Sequence, residues 1–252
     1  MRIFDSHFHI IDPKFPLVPN HGFLPEPFTV NDYLNRTRAL KIEGGTVVSG
    51  SFQAFDQTYL LEALKILGKN FVGVTQLPAE ADEQTVLSLD KAGVRAVRFN
   101  VRRGGSEELS RIRELGAMVF DIAGWHVELY IDAKDIDDFL TEVLLSLPKV
   151  SIDHLGLTQG GLPTILSLAE KGVRVKATGF GRTDLNVQDA LLGIAERNPE
   201  ALLFGTDLPC TRSPVPFSEE DLNLIQDTFD GEMLRKVLYE NALQFYGLNG
   251  KR

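Results

Sequence analysis

The sequence predicts an α/β fold, a single (β/α)8 barrel that takes residues 1–252 as one domain. Three observations predict it. Eight short runs rich in apolar and β-branched residues alternate with amphipathic stretches, the pattern of parallel strands joined by crossover helices. A helix–strand joint recurs: "KAGVRAV" (91–97) and "EKGVRV" (170–175) each place a glycine, suited to a left-handed helix end, before a Val-Arg pair that opens a strand. Finally, 252 residues with 43% hydrophobic and 24% charged content suit one large core of this kind.

In chain order the strand candidates are "RIFDSHFHI" (2–10), "GTVVSGSFQ" (45–53), "FVGVTQL" (71–77), "VRAVRFN" (94–100), "HVELYI" (126–131), "VSIDHL" (150–155), "VRVKATG" (173–179) and "ALLFGTD" (201–207). Between them, "TYLLEALKIL" (58–67) and "DDFLTEVLLSL" (137–147) space apolar residues three and four apart, one helix face each. Asp137 or Asp138 can start the second of these. "SEELSRIREL" (106–115) predicts a helix opening at Ser106, with acids in its first turn to match the helix dipole. Two proline-rich segments break the rhythm, residues 11–28 with five prolines and residues 208–217. Each follows the end of a strand, where barrel loops lie over the mouth. The segment from about Ser218 to Tyr246 is expected to close the outside of the barrel.

A net charge of -9 and a pI near 5.1 argue against nucleic acid or an anionic membrane surface as partner. A small anionic substrate stays open, because a few local arginines outweigh the global field at short range. No apolar run of about 18 residues predicts a membrane span, and the first residues, lacking a basic-then-apolar pattern, are not expected to be a secretory leader. The lone cysteine, Cys210, excludes an internal disulfide and a Cys-rich zinc site. The expected compartment is the cytoplasm.

In a strand, residues i and i+2 face the same side. His7 and His9 therefore face one side near the end of the first strand, with Asp5 in phase. Asp207, in "FGTDLP", follows the apolar run of the eighth strand, where a barrel places catalytic groups; a turn-forming aspartate is the alternative. His154, in "SIDHLG", ends the sixth strand at the same level, and alternation then predicts that Asp153 points away from the cavity. Tyr130, near the end of the fifth strand, faces either the cavity or the core. Arg98 and Arg182 lie at strand ends and suit carboxylates. Arg102 and Arg103 are expected to be solvated, with one reaching the mouth. His126 starts a strand, the wrong end for chemistry. Lys176 inside a barrel would need a partner, so it is expected to snorkel outward.

Taken together, "DSHFH", "DHLG" and "FGTDLP" resemble the amidohydrolase superfamily, in its amidohydrolase-2 branch. "GVRAVRFN" and "GWHVELYID" narrow the resemblance to 2-pyrone-4,6-dicarboxylate lactonases and related lactone hydrolases. The resemblance implies a hydrolase of a small carboxylated lactone. Asp207 would act as general base, and His7, His9 and His154 would polarise the carbonyl. Arg98, Tyr130 and Arg182 would contact substrate. It also implies either one divalent ion, zinc first among the candidates, on His7, His9 and Asp207, or a metal-free site. Three departures stand out: Tyr130 where metal-binding relatives usually have a histidine, Leu157 and Thr158 where the pyrone lactonases carry an arginine, and Cys210 where many relatives have a histidine. Two rival readings are a metal-dependent decarboxylase of a small acid and a non-catalytic barrel that binds one.

Overall fold

Eight parallel strands follow one another in sequence order around a nearly closed barrel, in a computed structural model that describes residues 1–249. They are β1 (Ile3–Phe8), β2 (Ile42–Val48), β3 (Phe71–Thr75), β4 (Val94–Asn100), β5 (His126–Tyr130), β6 (Val150–Ile152), β7 (Arg174–Ala177) and β8 (Leu202–Phe204), so each predicted run holds or overlaps one strand. The crossover helices are α1 (Val30–Arg36), α2 (Thr58–Leu67), α3 (Glu83–Lys91), α4 (Ile112–Ala123), α5 (Asp138–Ser146), α6 (Leu162–Glu170) and α7 (Val187–Arg197). After β8 come α8 (Glu219–Thr228), α9 (Gly231–Arg235) and α10 (Asn241–Phe245), the last two joined by a π-helical turn. Among the described residues no helix is long and apolar enough to cross a membrane.

Local chemistry accounts for the joints. Asp137 caps α5 by accepting from Leu140 N, and Asp82, Asn186 and Ser218 cap α3, α7 and α8 in the same manner. Gly93 and Gly172, in the repeated joint, have φ of +107° and +97°, a conformation that side chains resist. The predicted helix start at Ser106 is a correction: α4 begins at Ile112. The Ser106 hydroxyl accepts from Asn100 N at 2.8 Å and so serves the end of β4 rather than a helix.

The barrel closes between β8 and β1 through Asp207 N to His7 O and His9 N to Leu208 O, both 2.7 Å. Asp5 reinforces that seam. Its carboxylate accepts from Thr206 N (2.8 Å), Thr206 Oγ1 (2.7 Å) and Tyr33 Oη of α1 (3.0 Å). Asp5 therefore does not face the cavity in phase with His7, because the β1–β2 register shifts between Asp5 and Phe8.

The interior is layered. Toward the N-terminal end of the strands Phe4, Val72, Ala96 and Leu203 cluster with Ala242, Phe245 and Tyr246. Here too the expectation needs correcting. α8 covers the outside beside α7 as expected, but the turns around α10 plug the floor of the barrel, and Asn241 Nδ2 anchors them on Pro199 O and Leu202 O. Strand β5 serves as a depth scale: His126 stacks on Phe245 at the floor (4.3 Å between ring centroids), Glu128 is fully buried at mid-depth, and Tyr130 reaches the cavity.

Candidate active site

Four side chains, far apart in sequence, converge at the C-terminal mouth. His7 Nε2, His9 Nε2 and His154 Nε2 lie 3.8, 3.7 and 4.0 Å from Asp207 Oδ1. All four residues are buried. Strand phase delivers His7 and His9. Asp207 and His154 arrive by irregular backbone: Asp207 has φ of 59°, and His154 and Leu155 have φ of 52° and 53°. Left-handed backbone at such residues is strained, and strain of this kind concentrates at functional sites.

That irregularity also corrects the reading of Asp153. Asp153 is still extended (φ -76°, ψ 150°) and continues the alternation of β6, so it faces the barrel with Ser151, while the positive φ of His154 brings that ring inward beside it. Its carboxylate takes a hydrogen bond from Arg98 Nη2 at 2.7 Å and lies 3.4 Å from His7 Nδ1. Lys176 is corrected likewise: it is fully buried and donates to Glu128. Glu128 was not singled out in the sequence, although its alternation with His126 and Tyr130 on one strand face marks it as inward.

Burial governs the protonation states. Desolvation drives His7 and His154 well below the usual histidine range and His9 down to about 3, so all three rings are neutral at pH 7. Burial pushes Asp207 up to about 6, opposed by Arg182, whose Nε donates to Asp207 Oδ2 at 2.5 Å. Asp153 is held well below the usual carboxylate range: His7, Arg98 and Lys176 together outweigh its burial.

Hydrogen bonds fix what each group offers. His9 Nδ1 lies 2.7 Å from Val48 O, a pure acceptor, so Nδ1 carries the proton and Nε2 presents a lone pair. His154 Nδ1 is held by Thr178 Oγ1 at 2.7 Å. Asp207 Oδ1 and His7 Nε2 are buried without a hydrogen-bond partner among the described residues. The His9 Nε2 lone pair and an unpaired carboxylate oxygen facing one point call for a water or a cation there. His7, His9 and Asp207 can each offer one ligand atom within 4.8 Å of the others, a donor set that suits a divalent ion.

The cavity above is lined in part by Phe52, Tyr130, His154 and Asp207. Both proline-rich loops reach it, through Phe23 and Arg212, as their positions predicted. Tyr130 packs edge-on to His154 (5.0 Å) with the Arg98 guanidinium over its ring (5.4 Å). Arg98 is only 2% exposed, donates to Ser49 O (2.7 Å) and Asp153, and lies 3.4 Å from Glu128 without a hydrogen bond to it. Arg182 is committed to Asp207 and Thr211 O (2.8 Å). At the rim Arg103 and Arg212 also line the cavity. Asn20 ties their loops together by donating to Arg103 O (3.0 Å) and accepting from Arg212 Nη1 (3.0 Å).

Comparison with known proteins gives a consistent set of likenesses. A family model described as amidohydrolase matches residues 4–248. A curated 2-pyrone-4,6-dicarboxylate hydrolase of Comamonas testosteroni is 25% identical over 281 residues, covering 96% of this chain and 89% of that protein. A 4-sulfomuconolactone hydrolase of Hydrogenophaga intermedia is 23% identical over 267 residues, covering 96% and 88%. The crystal structure of a Pseudomonas putida protein assigned as a 2-pyrone-4,6-dicarboxylic acid hydrolase superposes with a TM-score of 0.82 at 27% identity, over 98% of each chain.

Proposed function

This chain belongs to the amidohydrolase family, and on that premise we propose that it hydrolyses a lactone bearing a carboxylate or similar anionic group. The observation that carries the reading is the meeting of three neutral imidazoles with one unpaired, buried carboxylate oxygen, Asp207 Oδ1. The relatives named for lactone hydrolysis agree with it.

In this reading the attacking water donates to Asp207 Oδ1 and to the lone pair of His9 Nε2, two acceptors 3.7 Å apart. Asp207 takes the proton as the water oxygen bonds to the lactone carbonyl carbon. Arg182 holds the other carboxylate oxygen, which keeps Asp207 oriented and favours its ionised form. His7 and His154 face the carbonyl oxygen as charge develops on it. Collapse breaks the ring C–O bond, and Asp207 returns its proton to the departing ring oxygen. Should the enzyme carry a divalent ion, with zinc the first candidate, His9 and Asp207 would hold it, with His7 as the third donor only where its Nε2 is unprotonated, and the chemistry supplied on binding is polarisation of the carbonyl.

Arg98 and Arg182 are engaged with protein carboxylates, so the rim guanidiniums of Arg103 and Arg212 are the better placed to recognise the substrate's anionic group. The test is a panel of lactones with and without carboxylate or sulfonate groups, followed by acid release at constant pH, with metal content measured on the same sample. Turnover of the anionic lactones, lost in Asp207→Asn, is expected. Binding without turnover across the panel, or release of CO2 from a carboxylic acid instead, would overturn the reading.

A further inference from the structure

Beneath the imidazoles lies a charged layer that the reaction above does not use. Arg98, Glu128, Asp153 and Lys176 are all buried, two basic side chains against two acidic ones. Barrel interiors are ordinarily filled by branched apolar side chains, and the layer at the floor of this one is. A buried ion pair confers no advantage in stability over apolar side chains of the same volume. Packing therefore does not account for the layer.

The layer meets the imidazoles at His7 Nδ1. Lys176 Nζ lies 3.3 Å from that atom, Asp153 Oδ1 3.4 Å and Glu128 Oε1 3.7 Å. An ammonium only donates and a carboxylate only accepts. Lys176 makes a hydrogen bond to Nδ1, whereas Asp153 Oδ1, for all its proximity, has no hydrogen-bond partner. A ring that accepts at Nδ1 carries its proton on Nε2. His7 Nε2 is itself buried without an acceptor among the described residues, and it points to where the reacting carbonyl would sit.

We propose that Lys176, braced by Glu128, is a positioning residue that fixes His7 as the Nε2-protonated tautomer, making this ring a hydrogen-bond donor to the substrate's carbonyl oxygen. His9 is the reverse case: Val48 O fixes its proton on Nδ1 and leaves Nε2 to accept. The two histidines of "HFH" thus hold opposite tautomers, one to polarise the carbonyl and one to hold the water. The carbonyl part of this inference rests on the lactone reading; the tautomer does not.

The test is a long-range proton–nitrogen correlation spectrum of histidine-labelled protein as purified, with the His7 ring assigned by His7→Asn. The wild-type ring should be protonated on Nε2. In Lys176→Met the proton should move to Nδ1, facing Asp153, while kcat falls roughly 100-fold and KM changes less than about threefold. Lys176→Met combined with Glu128→Met leaves no lone charge of that pair buried, and should reproduce both effects even if the single variant folds poorly. A wild-type ring protonated on Nδ1, or a folded variant with tautomer or kcat unchanged, overturns the proposal. If the wild type turns over no lactone, the lactone reading fails, yet the spectrum still decides the tautomer.

Discussion

At the floor of the barrel Phe4 stacks on Tyr246 with centroids 5.6 Å apart, and Val72, Ala96, Leu203 and Phe245 cluster with them. From mid-depth to the mouth, along the same strands, Arg98, Glu128, Asp153, Lys176 and Asp207 are equally buried and all ionisable. One end gains stability from removing apolar surface from water. The other carries a desolvation cost and recovers it only through pairing. The contrast suggests a division of labour in which the floor holds the fold together and the mouth holds charges in place for chemistry. That division can be broken at either end.

The largest effect is expected at the mouth. Asp207→Asn should lower turnover by about 10³-fold or more, since it removes the general base without changing volume. Its thermal midpoint should match or exceed that of the wild type, because burial disfavours the ionised form that the variant abolishes. Phe4→Ala is the converse. It should cost about 3–5 kcal/mol in denaturant titrations, with kcat per folded molecule unchanged. If Phe4→Ala lowered kcat, or Asp207→Asn lowered stability by a similar amount, the division would fail.

How much of this was legible beforehand differs along the same line. Strand phase and apolar runs gave all eight strands, and the spacing of His7 and His9 with the strand-terminal His154 and Asp207 gave the four converging side chains. Those are local signals with a period. What escaped was set by irregular backbone or by distant partners. Asp153 keeps the strand phase and faces inward, and His154 joins it only because its own backbone leaves the strand conformation; Asp5 faces α1 because β1 shifts register. Lys176 stays buried because its counter-ion is Glu128, 48 residues earlier. Nothing near Phe245 in the sequence says that it plugs a floor rather than covering a wall; only the packing of Phe4 and His126 does. Glu128 was within reach, since His126, Glu128 and Tyr130 alternate.

A pH series sharpens the comparison with a smaller effect. Asp207 must be ionised to act as a base, and it titrates near 6, so kcat/KM should fall about tenfold per pH unit below that value. Stability runs the other way. Because the pKa is raised on folding, from 3.8 to about 6, the folded state holds the proton more tightly than the unfolded chain. The resulting contribution is full below 3.8 and is lost as pH rises through about 6. Asp207→Asn should therefore flatten part of the stability profile in that window. Asp5, also pushed up to about 6 by burial, should leave a remainder with the same sign. A stability profile unchanged by the substitution would mean that Asp207 titrates at its ordinary value.

The smallest effect is expected at the rim, where pairing is not buried. Arg212 packs over Phe23 with its guanidinium carbon 4.1 Å from the ring centroid and bonds Asn20 O (2.5 Å) and Oδ1, so it latches the loop after β8 to the loop after β1. Exposed pairs and stacked cations of this kind are each worth about 1 kcal/mol or less. Arg212→Met keeps much of the apolar stem and removes the charge, so stability should change by less than about 1 kcal/mol. If the rim recognises an anion, KM for a carboxylated lactone should rise roughly 10-fold, the worth of one charge-assisted hydrogen bond. KM for an uncharged lactone of the same ring, and kcat for both, should stay level. Equal rises for the two lactones would instead make Arg212 a loop latch with no part in recognising charge. Arg103, which shares the rim through Asn20, would then be the next side chain to test in the same paired assay.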